Sequence, residues 1–320
     1  MIGFEEELAK TVGNEIAAIV ADLSRYWPLT NLVGVTVSYD YATALAGIDR
    51  GFGKSLPPPQ ATNDEELGQG SAMAVSVIHD GIWKTHVVFG PYVVNMLSSE
   101  NDGENITGTK LVAHELAHAV DHENKRRAFG EICLQSVIEL IPDPKEQYLW
   151  EKSHFIWDEY FASRLSVAFD PDGEPYEDEL FATAYIACRN RLREARRKYH
   201  WHEISLEEFL EILGHNLRMV ILSAGYLFGL CDGLNKDFSE VAPQSAPLLQ
   251  EPLGLSIMRF HSVLLALWEN RGEWTSYNEF LAMNAPAEAL LNDLDLFVHT
   301  TDDGMVYMDI PARLEHVGLN

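Results

Sequence analysis

The chain has 320 residues, 47% of them hydrophobic and 22% charged, so it can bury a substantial core as one large domain or two of ordinary size. Its formal charge of -26 argues against nucleic acid or an anionic membrane surface as a partner. Its three cysteines, Cys133, Cys188 and Cys231, are odd in number and sparse, which indicates a reducing compartment and no disulfide framework. They form no CxxC pair, which argues against a thiolate zinc site. No secretion signal is recognisable, and the longest apolar run, 220–230, is too short for a bilayer, so we expect a cytoplasmic protein.

The first part of the chain mixes helical and strand patterns. Apolar residues recur at spacings of three and four over residues 4–25, which predicts a helix, and alternation over 33–41 predicts a strand. Residues 51–70 are rich in Gly, Pro, Asn and acids, so we expect a loop or an exposed flap there.

A β-hairpin is predicted at 72–79 and 82–89, because both runs are apolar and flank Asp80-Gly81, a strong signal for a tight turn. A short helix is expected at 91–97. An extended substrate can add to an exposed strand edge, although an ordinary buried sheet is equally compatible with these residues.

The second half of the chain has an almost entirely helical pattern that is interrupted by prolines. Helices are predicted near residues 131–141, 145–168, 178–199, 206–231, 248–270 and 276–292. Short alternating runs on either side of Asp303-Gly304 predict a terminal hairpin within 296–310.

An HExxH motif, His114-Glu115-Leu116-Ala117-His118, lies between these halves. On a helix, positions i and i+4 lie on one face about one turn apart, so both imidazoles can bind a single metal ion. Glu115 lies roughly 100° around the helix from His114, where its carboxylate can hold a metal-bound water. The opposite face of the helix is apolar and is formed by Val112, Leu116 and Ala119.

The limits of this helix and two further polar residues on it are also predicted. Thr107 or Thr109 can cap its start, and Gly130 can end it. His122 is about 12 Å along the axis and roughly 80° around it from the first histidine, so we expect a supporting or solvated residue and not a ligand of the same ion. Asp121 returns to the face of the two histidines and is the better supporting candidate, with a solvated carboxylate equally compatible.

Glu159 is the predicted third protein ligand, because catalytic zinc usually takes three protein ligands and a water. It shares a helix face with small residues, which allows its carboxylate to approach a neighbouring helix; these residues are Ala162, Ser163 and Ser166. Asp158 has a shorter side chain and points about 100° around the helix from Glu159, so it is the second candidate for the third ligand. A solvated glutamate in an acidic protein is the alternative.

HExxH followed by a helical ExxA at 159–162 resembles the gluzincin metallopeptidases. The stretch VAHELAHAVDH is similar to the bacterial regulatory peptidases of the ImmA/IrrE type, and HExxHxxD also resembles the Mlc titration factor peptidases. Ser163-Arg164 departs from the asparagine that is common in the ImmA type. The resemblance implies one Zn²⁺ ion with Glu115 as general base, and it implies three protein ligands, His114, His118 and Glu159.

The predicted fold class is therefore α+β. We expect a zincin-like N-terminal half, with a small, mainly antiparallel sheet and the HExxH helix, followed by a predominantly helical C-terminal half. Residues 1–168 are predicted to form the metal-binding domain, and 169–320 a helical region packed on it.

The predicted function is zinc-dependent hydrolysis of a peptide or protein substrate, in which Glu115 takes the proton of a metal-activated water. A donor must also stabilise the oxyanion, and the sequence does not choose among six candidates, Tyr160, Tyr185, His86, His200, His202 and His215. Two alternatives stay open: a zincin-fold regulatory or protein-binding module without turnover, and a helical scaffold with a chance HExxH.

Overall fold

The structure is a computed structural model that describes residues 2–51, 58–61, 63–64, 68–130, 136–173 and 175–312. Its helices are α1 (Glu6–Leu23), α2 (Tyr41–Ala46), α3 (Pro91–Leu97), α4 (Asp102–Phe129), α5 (Pro144–Ser153), α6 (Phe155–Ser166), α7 (Tyr176–His200), α8 (Leu206–Leu234), α9 (Phe238–Val241), α10 (Ser245–Leu248), α11 (Pro252–Glu269) and α12 (Asn284–Asp293). Its strands are β1 (Leu32–Val37), β2 (Asn63–Asp64), β3 (Gly68–Gln69), β4 (Ala72–His79), β5 (Ile82–Phe89), β6 (Phe297–Thr300) and β7 (Val306–Asp309). The α+β class is therefore confirmed, and helices predominate.

The largest sheet has three strands in the order β1-β5-β4. β4 and β5 form the predicted hairpin, whose turn residues Asp80 and Gly81 both have positive φ, at 53° and 76°, as a two-residue hairpin turn of the primed type requires. β1 pairs with β5 in the parallel direction, so the sheet is mixed and not mainly antiparallel as predicted. Between β1 and β5 the chain forms α2 and the segment that contains β2 and β3, which is the connection that a parallel pair needs.

Alternation along β5 gives the sheet two different faces. Thr85 contacts α4, so Thr85, Val87 and Phe89 point to the face that α4 covers. On the other face Val88 packs with Leu45 of α2. The core of that face consists of Tyr41, Leu45, Val75, Val77 and Val88.

Two predicted elements end earlier than expected. The strand predicted at 33–41 stops at Val37, because the side chain of Asp40 accepts a hydrogen bond from the Thr43 N–H at 3.0 Å and caps α2. The helix predicted at 145–168 is two helices. The backbone N–H and the ring Nδ1 of His154 lie 3.1 Å and 2.9 Å from the same Trp150 carbonyl, and this closes α5 before α6 begins.

The remaining helical predictions are confirmed with shifted limits. The prediction at 178–199 corresponds to α7, and that at 206–231 corresponds to α8. The regions at 248–270 and 276–292 contain α10, α11, a 3-10 helix (Tyr277–Met283) and α12. The 131–141 prediction partly falls outside the described residues, and its described part is a 3-10 helix, Ser136–Leu140. The terminal hairpin is present as β6 and β7.

The chain divides into two compact units, which differ from the predicted 1–168 and 169–320. The first consists of Met1–Cys133, Phe161–Glu174 and Asp232–Asn235. The second consists of Leu134–Tyr160, Pro175–Cys231 and Lys236–Asn320. The first unit contains the three-stranded sheet and α4. The second is mainly helical, and its aromatic core includes Trp157, whose ring lies 5.5 Å from that of Trp274 and 5.6 Å from that of Phe280.

Among the described residues, α8 is long and apolar enough to cross a membrane, with a mean hydropathy of 1.4 over its most apolar window. However, 72% of that window is buried inside the protein, as in the core helix of a soluble protein. Cys188 is free and buried, Cys231 is buried, and Cys133 lies outside the described residues.

Candidate metal centre

The helix α4 positions the HExxH residues, and its ends are defined by side chains and by a glycine. The side chain of Asn101 accepts a hydrogen bond from the Gly103 N–H at 2.9 Å and caps the start. The predicted caps Thr107 and Thr109 are wrong, because both lie inside the helix and donate to carbonyls four residues earlier, each at 3.0 Å. Gly130 has φ of 70° and ends the helix, as predicted.

The middle of α4 is buried on every side. The apolar face that the sequence predicted is completely inaccessible, with Val112, Leu116 and Ala119 all at 0% exposure. The polar face is also largely buried, because His114, Glu115 and His118 are 9%, 8% and 8% exposed. Buried polar groups of this kind need specific partners, so the polar face of α4 is not a solvated surface.

His114, Glu115 and His118 form one cluster. Each offers one ligand atom, and the three atoms lie within 4.8 Å of one another. The imidazole rings have centroids 5.0 Å apart and are nearly perpendicular, at 83°. Zinc takes imidazole nitrogen and carboxylate oxygen at about 2.0–2.2 Å, so small side-chain rotations bring both nitrogens within reach of one ion. The two imidazoles are therefore nitrogen donors that fit zinc, with the Glu115 carboxylate beside them.

His122 lies one turn after His118 on α4 and joins this helix to β5. Its Nδ1 lies 2.7 Å from the Thr85 hydroxyl on β5, and its ring lies 5.1 Å from that of Trp83. Asn31 donates a second hydrogen bond to the same hydroxyl at 3.3 Å. Of the two roles predicted for His122, the supporting one agrees with these contacts, and the solvated one does not, since the residue is 8% exposed.

Asp121 is also buried, at 0% exposure, so the solvated alternative does not hold for it either. Its carboxylate lies 2.5 Å from the ammonium of Lys125, one turn further along α4, and that side chain is 2% exposed. An ion pair in such surroundings is maintained only with close geometry, because both charges have lost their water. The pair therefore places two opposite charges at fixed positions on α4, next to the histidine cluster.

Tyr41 is a buried tyrosine of the first unit that the sequence analysis did not single out. It is the first residue of α2, it is 6% exposed, and its hydroxyl makes no hydrogen bond to any described residue. Burial, and then the negative charge of Glu115, raise the pKa of the Tyr41 phenol above its ordinary value. The spacing of Asp40 and Thr43 is the signal that could have placed Tyr41 on a helix, because an aspartate commonly caps the backbone N–H three residues later.

The predicted third ligand, Glu159, lies on α6 in the second unit, as does Asp158. Both are half-buried. The backbone at Glu159 packs closely against α8, since a Cβ added at Gly225 would lie 3.0 Å from the Glu159 Cβ and 2.8 Å from the Ile156 carbonyl. The ligand atoms clustered on α4 do not include Glu159, so its role as third ligand stays a prediction.

Of the six predicted oxyanion donors, His86 lies in the first unit and the other five lie in the second. His86 follows Thr85 on β5, so it points to the face of the sheet opposite α4, where its Nε2 lies 2.9 Å from the Thr36 hydroxyl. Burial lowers the pKa of His86, which favours the neutral ring. Tyr160 is completely buried beside Trp268, and the Tyr185 hydroxyl donates to Glu251 at 3.0 Å.

Comparison with known protein families, with curated proteins and with solved structures gives no match.

Proposed function

We propose that the protein is a zinc-dependent metallopeptidase of the gluzincin type, whose first unit is a zincin-like domain. The observation that carries the proposal is the convergence of His114, Glu115 and His118 in one buried cluster on α4. A chance HExxH on a surface helix would leave these side chains solvated. The sheet beneath α4, with a hairpin and a parallel strand, supports the zincin-like assignment.

In this proposal His114 and His118 hold the ion through ring nitrogens, and Glu159 is the third ligand. Bound zinc supplies a Lewis acid that makes a water more acidic and polarises the scissile carbonyl. Glu115 accepts a proton from the attacking water as the water oxygen bonds to the carbonyl carbon. As the C–N bond breaks, Glu115 returns that proton to the leaving amine.

The substrate class in this proposal is a peptide or protein. We place the protein in the cytoplasm, which is supported by its sparse cysteines and by the burial of the apolar helix α8. The free, buried state of Cys188, whose thiol pKa burial raises to about 12, agrees with an inert structural role in a reducing compartment.

The test measures zinc content and peptide cleavage in four proteins: wild type, Glu115→Gln, His118→Ala and the control His79→Ala, which changes a histidine whose side chain is 60% exposed. Each is stripped with a chelator and reloaded with zinc, and cleavage of a mixed library of unstructured peptides is followed by mass spectrometry. We expect one zinc per chain in the wild type and the control, and much weaker binding in His118→Ala. Glu115→Gln keeps zinc and loses cleavage by about 10²-fold or more.

Two results would contradict the proposal in different ways. A wild type that binds no stoichiometric zinc removes the metal centre. Stoichiometric zinc without cleavage of any peptide by the wild type favours a regulatory module that retains the metal.

The third ligand is tested by comparing Glu159→Gln with Asp158→Asn, since both carboxylates are half-buried on the same helix. We expect Glu159→Gln to lower zinc affinity by about 10²-fold, because it removes one of three protein ligands, and Asp158→Asn to leave the affinity near that of the wild type. The reverse order would assign the ligand to Asp158.

A further inference from the structure

One edge of the three-stranded sheet is open along β1. β1 is an outer strand, so β5 pairs with only one of its two edges. The Ser38 N–H donates to the Phe89 carbonyl at 3.0 Å, and backbone groups alternate along a strand, so Val35 and Val37 turn theirs away from β5. The N–H and C=O of Val35 and the N–H of Val37 make no hydrogen bond to any described residue. Val37 is nevertheless only 5% exposed, so its N–H lacks the partner that a buried backbone group normally has.

The chain already adds a short extended segment to the far end of this edge. Ile2 donates to the Val37 carbonyl at 2.8 Å and accepts from the Tyr39 N–H at 2.9 Å, which forms a parallel bridge beside Ser38. This contact shows that the edge has the geometry to pair with an extended backbone. The adjoining positions, at the Val35 carbonyl and the Val37 N–H, continue the same line and are open to another segment.

An apolar groove of about 400 Å³ lies between α1 and β1, beside the open edge. Small and aliphatic residues line it, including Gly13, Ala17 and Ala21 of α1 and Val35 and Val37 of β1. Ala17 and Ala21 are exposed, so the groove is open to solvent. Side chains alternate along a strand, so every second side chain of a segment paired with β1 would enter the groove.

The part of the edge beside the groove lacks the features that usually prevent pairing with another chain. Natural edge strands carry charged side chains, prolines or bulges for this purpose. The sequence of β1, LVGVTV, contains no charged residue and no proline. Its pairing with β5 is irregular only between Leu32 and Gly34, before the stretch that adjoins the groove.

We propose that the outer edge of β1 and the adjoining groove bind an extended segment of a partner protein as an additional strand. Its main chain pairs with Val35 and Val37, and aliphatic side chains at alternate positions enter the groove. The segment is uncharged where it meets the groove, because none of the lining residues carries a charge that could compensate a buried one. The inference does not rest on the proposed peptidase function, since no HExxH residue lines the groove.

The test uses a fluorescein-labelled peptide of about six residues in which valine and threonine alternate and both ends are capped. Its binding to the intact chain, stripped of metal and then reloaded with zinc, is measured by fluorescence anisotropy. We expect saturable binding with a Kd of about 10–100 μM, equal in the two forms. Exchange of the Val35 and Val37 amide hydrogens with deuterium should slow when the peptide binds.

Two modified peptides separate main-chain pairing from apolar contact. One is N-methylated at every valine and the other at every threonine. Amide hydrogens of alternate residues point to opposite edges of a strand, so one peptide loses the donors that face β1 and the other keeps them. We expect one modified peptide to bind about tenfold more weakly or worse, and the other to bind like the original.

The matched variants are Ala17→Glu and Ala18→Glu, which change neighbouring exposed alanines of α1. Ala17 lines the groove, whereas Ala18 points about 100° around the helix from it. We expect Ala17→Glu to lower the affinity for the peptide about tenfold or more, and Ala18→Glu to match the wild type. Both variants should keep the melting temperature of the wild type.

Four outcomes would overturn the inference. Absence of saturable binding to the wild type removes the site. Equal affinities for the two N-methylated peptides show that the main chain does not pair with β1. An equal loss of affinity in Ala17→Glu and Ala18→Glu shows that charge on α1, and not the groove, controls binding. Self-association of the wild type that Ala17→Glu abolishes assigns the edge to a second copy of the chain.

Discussion

His122 Nδ1 lies 2.7 Å from the hydroxyl of Thr85, and this contact joins the HExxH helix to the central strand of the sheet. The contact lies one turn beyond His118 on the same helix. It therefore fixes how far α4 is rotated against the sheet, and that rotation determines where the imidazoles of the motif point.

Replacing Thr85 by valine should destabilise the protein, because it removes the contact that joins α4 to the sheet. Valine keeps the shape of the side chain but removes the hydroxyl, so buried groups on both His122 and Asn31 lose a partner. We expect a loss of about 1–3 kcal/mol in the free energy of unfolding, measured by urea denaturation. The matched control is Thr36→Val, which removes the hydrogen bond to His86 on the other face and is only partly buried. An equal or larger loss in the control would show that the contact to His122 stabilises the protein no more than the contact to His86 does.

Breaking the buried ion pair of α4 should cost more than breaking an exposed one. In Lys125→Met the Asp121 carboxylate loses its cation at 0% exposure, and we expect a loss of about 3–5 kcal/mol in the free energy of unfolding. Lys10→Met removes the exposed i,i+4 partner of Glu6 and should change stability little. The double variant Asp121→Leu with Lys125→Met should recover part of the loss, because neither charge of this pair is then left without its partner. A double variant less stable than Lys125→Met would contradict this account.

Two glycines of α8 should respond to alanine in opposite directions. At Gly225 an added Cβ would lie 2.8 Å from the Ile156 carbonyl, so Gly225→Ala forces α6 and α8 apart and should cost about 1–3 kcal/mol. At Gly214 nothing lies within 4 Å, so alanine there should stabilise the helix by about 0.4–1 kcal/mol. Thermal unfolding of both variants checks the signs. A Gly225→Ala protein as stable as the wild type would mean that α8 does not pack closely against α6 at Glu159.

The stability of the protein should depend on pH through Glu123. Burial tends to raise the pKa of this carboxyl, but the hydrogen bonds and charges of Arg126 and Arg127 outweigh it and the pKa is lowered. A carboxyl with a lowered folded-state pKa stabilises the protein above its unfolded pKa, and this contribution is lost as the pH falls through the folded-state pKa. Glu123→Gln should therefore be less stable than wild type at pH 7, and the difference should shrink on acidification. A difference that stays constant with pH would exclude an electrostatic origin.

The parts of the fold that could be predicted are those specified by neighbouring residues. The hairpin follows from Asp80-Gly81, and its limits agree with the prediction to the residue. The convergence of His114, Glu115 and His118 follows from helical spacing alone, because all three are on one helix.

The parts that could not be predicted depend on residues far apart in sequence. Tyr41 is brought into the apolar cluster with Leu45, Val75 and Val88 by the path of the chain after β1, and the sequence shows only an alternating run that ends in tyrosine. Similarly, Gly225 allows close packing at Glu159 from 66 positions further along the chain, a pairing that no local pattern specifies. The side chains of Thr107 and Thr109 can cap a helix, but Asn101 precedes both in the sequence and caps the start of α4 instead.

The start of α4 at Asp102 places the HExxH motif near the midpoint of a 28-residue helix. Fraying affects the first and last turns of a helix, and more than two turns separate the motif from either end. The amide hydrogens around His114 and His118 should therefore exchange with deuterium only through cooperative opening of the whole unit, even before any ion binds. The spacing between the two imidazoles is thus set in advance by the backbone, and a bound cation would not be needed to fold the helix that carries them.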